Sequence, residues 1–360
     1  MKYCFAWITV FVMLLCAAPS TFAAEHISGD VNGDDLVGAA DAAAVLRAAD
    51  GTVEMDAASL LTADVTGNQT VGQGDAQAIL LLSTGKLKKF TDLTGITKDS
   101  ITGERFLDKF SYQGIRIKGA CYQSDSVSIT VTRSRNAYSV YYVADIYVRR
   151  IASLRNAFSS GAYLGQRERT ERIAQQNDAL LAISGDGYSD RTRGPVVRNG
   201  VWYRNTMDKD ADIAVLTRQG ELKTYSAGSV TIEQLEADDP WQIWTYGPLL
   251  LTGEGKIPSN FHCDRKLQGR MARAAIGYYE PGHYSLICVE GTQQADSEGM
   301  TLDELAHLVD TLGCKTAYNL VGGRNATLSS STDLISTPQS GTRTISDIFF
   351  LTEPTAEGMQ

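Results

Sequence analysis

The chain opens on an apolar run, FAWITVFVMLLCAA, set behind one charge at Lys2 and ahead of the small residues PSTFAAE. That order is the pattern of an export signal, with a small-residue cut expected after Ala23. No later stretch reaches about 18 consecutive apolar residues, so no membrane span is expected once residues 1–23 are removed. Helical spacing comes next. AAAVLRAAD and AQAILLLSTGKL are rich in Ala and Leu and predict two helices, with Leu46 and Leu80–Leu82 as core. From about Phe90 the pattern alternates. SVSITVT and SVYYVADIYV read as strands, RTERIAQQND as a helix and ALLAISG as a strand. ARAAIGYYE and HYSLICVEG, joined by Pro281-Gly282, read as a hairpin. Leu302, Leu305, Ala306, Val309 and Leu312 then repeat at helical spacing, with Thr301 and Glu304 as a capping box and Gly313 as the stop. The strand TAYNL and the glycine turn VGGRN follow. The expectation is a mixed α/β (α+β) domain over residues 90–360 with a large mixed sheet, preceded by a small all-α module over residues 25–89.

Before each of the first two helices lies a polar loop. GDVNGDDLVGAAD and ADVTGNQTVGQGD repeat at a spacing of 34 residues. Calcium takes six to eight oxygens, and a chain wrapping the ion presents them from alternate positions. In the first loop Asp30, Asn32 and Asp34 stand at positions 1, 3 and 5, Leu36 offers its carbonyl at 7, and Asp41 closes at 12. In the second, Asp64, Thr66, Asn68, Thr70 and Asp75 hold the same places. Three carboxylates have become two, which lowers the affinity expected of the second loop. Position 6 lacks the usual glycine in both; Asp35 and Gln69 stand there. Val37 and Val71 are the apolar residues expected to pack one loop on the other.

The net charge of −9 is uneven. Residues 25–89 hold ten acids and four bases, a balance that excludes nucleic acid as a natural partner and favours cations. Four cysteines remain after the cut: Cys121, Cys263, Cys288 and Cys314. Their three possible pairings stay open, and Cys288, inside an apolar strand, reads most simply as a buried thiol. His262 and His283 have no Cys or carboxylate at ligand spacing and read as ordinary polar residues.

Loop, helix, linker, loop, helix over residues 29–87 resembles a type I dockerin. The resemblance implies a small module with two calcium sites that plugs into a cohesin domain on a scaffold or cell surface. It also implies that loop positions 10 and 11 face that partner. Here these are Ala39–Ala40 and Gln73–Gly74, without the usual hydroxyls.

Four later stretches, in order, are AISGDGYSDRTRGPVVRNGVWYR, WTYGPLLLTGEG, RMARAAIGYYEPGHYSLICVEG, and EGMTLDELAHLVDTLGCKTAYNLVGGRNATL running on to GTRTISDIFF. Together they resemble the phosphodiester glycosidase family across roughly residues 110–352. The resemblance implies hydrolysis of the bond between a sugar anomeric carbon and a phosphodiester, on a carbohydrate or sugar-phosphate substrate. Such a reaction has a good leaving group. It needs a carboxylate near the anomeric carbon, and cations or amides on the phosphate oxygens. By resemblance the carboxylates are Asp186 and Glu290. The substrate and phosphate contacts are Ser184, Arg273, Gly322, Gly323, Arg324 and Arg343.

Six motif positions depart together. Ser184 replaces an asparagine, Glu290-Gly291-Thr292 replaces Asp-Gly-Arg, Val321 replaces the aspartate of an Asn-Leu-Asp-Gly-Gly-Gly-Ser stretch, and Arg324-Asn325 end that stretch in place of Gly-Ser. Valine neither ionises nor holds a water, so an essential aspartate at 321 would cost orders of magnitude in rate. Three readings follow: a secreted, dockerin-bearing glycosidase acting on a glycan- or polymer-linked sugar phosphate, a catalytically degenerate relative that binds the same ligand on a cohesin scaffold, and a purely structural surface protein that uses the dockerin for assembly.

Overall fold

The computed structural model describes residues 27–93, 100–291, 297–337 and 343–354. The expected export signal and Thr292 lie outside the described residues.

The first region is helical. Helices Ala39–Ala49 and Gln73–Ser83 follow the two polar loops, and the short helix Ala57–Ala63 lies between them. Val45, Ala42, Ile79 and Leu81 form their buried face, while Leu46 and Leu80 are exposed, at 43% and 40%. The expectation for those two leucines is thus corrected. The helices pack through small Ala residues, and one turn away a leucine meets solvent. The core does not stop at residue 89. Leu87, Leu93 and Leu107 are fully buried in the same cluster, and Phe90 and Tyr112 pack on it. Arg149 ties this segment to the next region, with its guanidinium over the Phe110 ring and its Nε donating to the Asp125 carbonyl at 2.7 Å.

The body is built from three sheets. The largest has eight strands in the spatial order Arg116–Lys118, Cys121–Gln123, Val127–Arg135, Val140–Val148, His283–Val289, Arg273–Glu280, Thr316–Leu320, Leu249–Leu251. Every strand ladder among the described residues is antiparallel, so the sheet is not mixed as expected. Short reversals explain this: Pro281-Gly282 turns one central pair, with Gly282 at φ +90, and such tight turns join only antiparallel strands.

Alternation sorts the sheet's two faces. Ala274, Ile276, Leu286 and Cys288 point into one core, shared with the strands Leu181–Ser184, Asp347–Leu351 and Pro240–Trp244 of the two smaller sheets. Ala275, Ile287 and Val289 point the other way, onto Leu302, Leu305, Ala306 and Val309 of the helix Leu302–Thr311. That helix carries the expected capping box: Glu304 N–H donates to the Thr301 hydroxyl at 3.1 Å, and Thr301 N–H donates to the Glu304 carboxylate at 2.9 Å.

Candidate functional site

The three central strands bring the motif residues to one end of the large sheet. Arg273 lies opposite Val289 on one side, and Ala274 lies opposite Leu320 on the other. The chain leaving Leu320 then folds back over the start of the Arg273 strand. Gly323 N–H donates to the Ala272 carbonyl at 2.8 Å, and a Cβ at Gly322 would stand 2.7 Å from that same oxygen. Gly323 has φ +60. Gly322 is therefore required by a close approach, and Gly323 by its left-handed backbone. Arg343 N–H donates to the Arg324 carbonyl at 3.3 Å, and both arginines are exposed. The structure thus brings Arg273, Gly322, Gly323, Arg324 and Arg343 into one contiguous stretch.

Arg273 is 2% exposed and is held by carbonyls. Its Nε donates to Met300 O at 2.8 Å and its Nη2 to Gly269 O at 2.5 Å. No carboxylate among the described residues pairs with it. Burial pulls its pKa down to about 10, which leaves it cationic at neutral pH. A buried guanidinium oriented by neutral oxygens keeps its charge for an anion.

Beside Arg273 stands Tyr246, whose phenol feels Asp190, Arg273 and Arg191, with burial raising its pKa most. A Cβ on Gly187 would lie 3.0 Å from Val321 Cγ2, 3.1 Å from Tyr246 Cδ2 and 3.4 Å from Asp190 Oδ2. These residues meet around one glycine. Val321 is 4% exposed and packs with Ile173, Ile345, Ile348 and Phe350.

Asp186 and Ser184 lie beneath this surface rather than on it. Asp186 is fully buried; Arg198 Nη2 donates to Oδ2 at 3.0 Å, and the Thr245 and Tyr246 amides donate to Oδ1 at 3.0 and 2.6 Å. Arg198 also donates from Nε to Asp347 at 2.8 Å, and Asp347 accepts the Asp186 amide at 2.8 Å. Burial raises the Asp186 pKa to about 6, with Arg198 opposing and Asp347 adding. In this arrangement Asp186 fixes the Tyr246 loop through its Oδ1. Ser184 is also fully buried, and its hydroxyl donates to the Val321 carbonyl at 2.7 Å. It supports the turn from below.

Glu290 stands apart. Its Oε1 accepts the Thr337 amide at 2.9 Å, and it lies by Tyr142, whereas Arg273 lies among Met300, Gly269, Cys263 and Tyr246. The strand alternation separates them, because neighbouring residues at a strand end take opposite faces. The residues that motif reasoning overlooked are Tyr246, Asp190 and Arg191. They sit in the WTYGP and SDRTRG turns, which have no period to mark them.

The cysteines Cys121, Cys263, Cys288 and Cys314 are free thiols. His262 and His283 each meet one aspartate distant in sequence, Asp212 at 2.8 Å and Asp145 at 2.7 Å.

The two polar loops repeat in structure as in sequence. Asp30 accepts the amides of Gly33, Asp34 and Asp35; Asp64 accepts those of Gly67, Asn68 and Gln69. Asp41 reaches back to the Val31 and Asn32 amides, and Asp75 to that of Thr66. In the first loop Asp30, Asp34 and Asp41 each offer a carboxylate oxygen within 4.8 Å of the others. An all-oxygen donor set of this charge fits a hard cation such as calcium. Position 6 takes a left-handed backbone in both, Asp35 at φ 64 and Gln69 at φ 68.

Residues 177–352 match the family model for phosphodiester glycosidases. The fold is shared with the zebrafish N-acetylglucosamine-1-phosphodiester alpha-N-acetylglucosaminidase catalytic domain auto-inhibited by pro-peptide. The two are 22% identical, with a TM-score of 0.52 over 63% of this chain and 84% of that one. A hypothetical protein from Synechocystis is also similar, at 15% identity and a TM-score of 0.48 over 63% of this chain and 62% of that one. No curated protein matches the chain.

Proposed function

We propose that the body hydrolyses the bond between a sugar anomeric carbon and a phosphodiester. One observation carries this reading: a buried, carboxylate-free Arg273 set against the Gly322–Gly323 turn at the open end of the sheet. Arg273 holds the phosphate charge, the glycines let it approach the backbone, and the exposed Arg324 and Arg343 add positive charge at the rim. Asp190, exposed and beside Tyr246, is the carboxylate placed to take a proton from water as it adds to the anomeric carbon and the phosphate oxygen departs. In the same reading Asp186 and Ser184 hold the site's shape.

A second reading, binding without turnover, is favoured by Val321, a buried apolar residue where the family motif has aspartate. The two separate in one assay. A sugar-1-phosphodiester is incubated with the wild-type protein, Asp190→Asn and Val321→Asp, and free sugar is measured. Release by wild type that falls in Asp190→Asn supports hydrolysis. Release by Val321→Asp alone supports the binding reading.

We infer further that residues 25–89 are an exported, calcium-dependent docking module for a cohesin-like partner. The oxygen-lined first loop supports this, as do the exposed Ala39 and Ala40 and the exposed apolar side chains Leu46, Leu61 and Leu80. Bound calcium would tie each loop to its helix, coupling metal to folding. Chelator should lower the melting temperature and abolish partner capture; neither change would remove this reading.

A further inference from the structure

Residues 100–105 are anchored to the body. Ile101 N–H donates to the Arg149 carbonyl at 2.7 Å, Thr102 fills the space beside Gly282, and Arg105 pairs with Glu280. From this turn Glu104 reaches across to the second polar loop. Its Oε1 accepts a bond from Asn68 Nδ2 at 2.6 Å, and the Thr66 hydroxyl, Asp75 and Asp64 are its other neighbours. Its side chain also covers Gly74 so closely that a Cβ there would stand 2.5 Å from the Glu104 Cβ. Glycine at 74 is what allows the approach.

The first loop carries its third carboxylate itself, at Asp34; the second has Asn68 at that position. The acid that loop two lacks is the one that Glu104 brings to it, onto that same Asn68. No basic side chain among the described residues pairs with Glu104. Carboxylates gathered around one loop without a cation repel each other, and burial of Asp75 strengthens the repulsion.

We propose that Glu104 is a ligand of the calcium in the second loop, so that this ion is held jointly by module and body. On binding, Glu104 exchanges its bond with the Asn68 amide for the metal. Among the described residues only Asp30, Asp34 and Asp41 already converge, so Glu104 must swing inward to join Asp64 and Asp75 as a third carboxylate, and metal at loop two then clamps the helical module onto the 280–283 hairpin through the 100–105 turn. This rests on the calcium reading of the loops.

The test is calorimetric titration of calcium chloride into the full chain, as wild type, Glu104→Gln and Glu104→Gln with Asn68→Asp, alongside melting curves with and without calcium. Two sites are expected in wild type. Glu104→Gln should weaken one of them about tenfold or more and leave the other unchanged. It should lower the melting temperature only when calcium is present. The added Asn68→Asp should recover the lost affinity by moving the acid into the loop. Two unchanged sites in Glu104→Gln would overturn the proposal while leaving the calcium reading intact. So would an equal loss of melting temperature with and without calcium, which marks a structural role. A wild-type protein that takes up no calcium would overturn both.

Discussion

The Ser184 hydroxyl donates to the Val321 carbonyl at 2.7 Å, with both residues buried. This bond, with Val321 N–H on the Gly185 carbonyl at 3.0 Å, fixes where the glycine turn leaves its strand. Removing the hydroxyl strands a buried acceptor. Ser184→Ala should therefore cost about 1–3 kcal/mol, read as a lower denaturant midpoint at unchanged slope.

Val321→Asp should destabilise the fold by several kcal/mol, on the order of the penalty for an unpaired buried charge. The buried wall around it is Ile173, Ile345, Ile348 and Phe350, none of which can pair with the carboxylate, and Tyr246 packs at its edge. A thermal melt checks this, with the loss smaller at pH 4 than at pH 8 because the acid is neutral there. An equal loss at both would place residue 321 in water.

Asp186 gives a pH signature of its own. Burial raises its folded pKa to about 6, above the unfolded carboxylate value. The folded state then binds the proton more tightly than the unfolded state. This group's contribution is fully present below pH about 4 and is lost as pH rises through about 6. The stability of wild type relative to Asp186→Asn should fall across that window. A flat difference from pH 4 to 7 would show that Arg198 holds Asp186 ionised throughout.

Position 6 of each loop stores backbone strain. Asp35 and Gln69 take φ 64 and φ 68, a region that glycine enters freely. Gln69→Gly should stabilise the module by up to about 1 kcal/mol, the usual cost of a left-handed non-glycine residue less glycine's extra unfolded-state entropy. Chemical denaturation reads this. Destabilisation would mean that the Gln69 side chain has a role of its own.

The four thiols should divide in two by reactivity. Burial pushes the Cys288 thiol up to about 12 and raises that of Cys314, so both should resist alkylation at pH 8 until the protein unfolds. Cys121 and Cys263 are half-buried and should label first, Cys263 the more slowly because burial raises its thiol too.

Periodicity carried the parts of the fold that obey one repeat. The 302–311 helix, the 273–289 hairpin and both loop–helix units were legible because a buried face needs regular spacing. Antiparallel pairing was not, since it depends on which strands meet. The exposure of Leu46 and Leu80 also escaped the pattern, because Ala supplies the contact face in their place. In the candidate site, the motif named Arg273 and the glycine turn, which lie together in the structure. It also named Asp186, which is buried against Arg198, and Glu290, which strand alternation puts on the face opposite Arg273. Tyr246, Asp190 and Glu104 matter through tertiary approach alone, which no local spacing records.

The most direct test is calorimetric binding of a sugar-1-phosphodiester to the wild-type protein and to Arg273→Gln, at neutral pH. Loss of a charge-assisted bond to phosphate, about 1.5–3 kcal/mol, should weaken binding at least tenfold in the variant. Equal affinity in the two proteins, with both fully folded, would contradict the account.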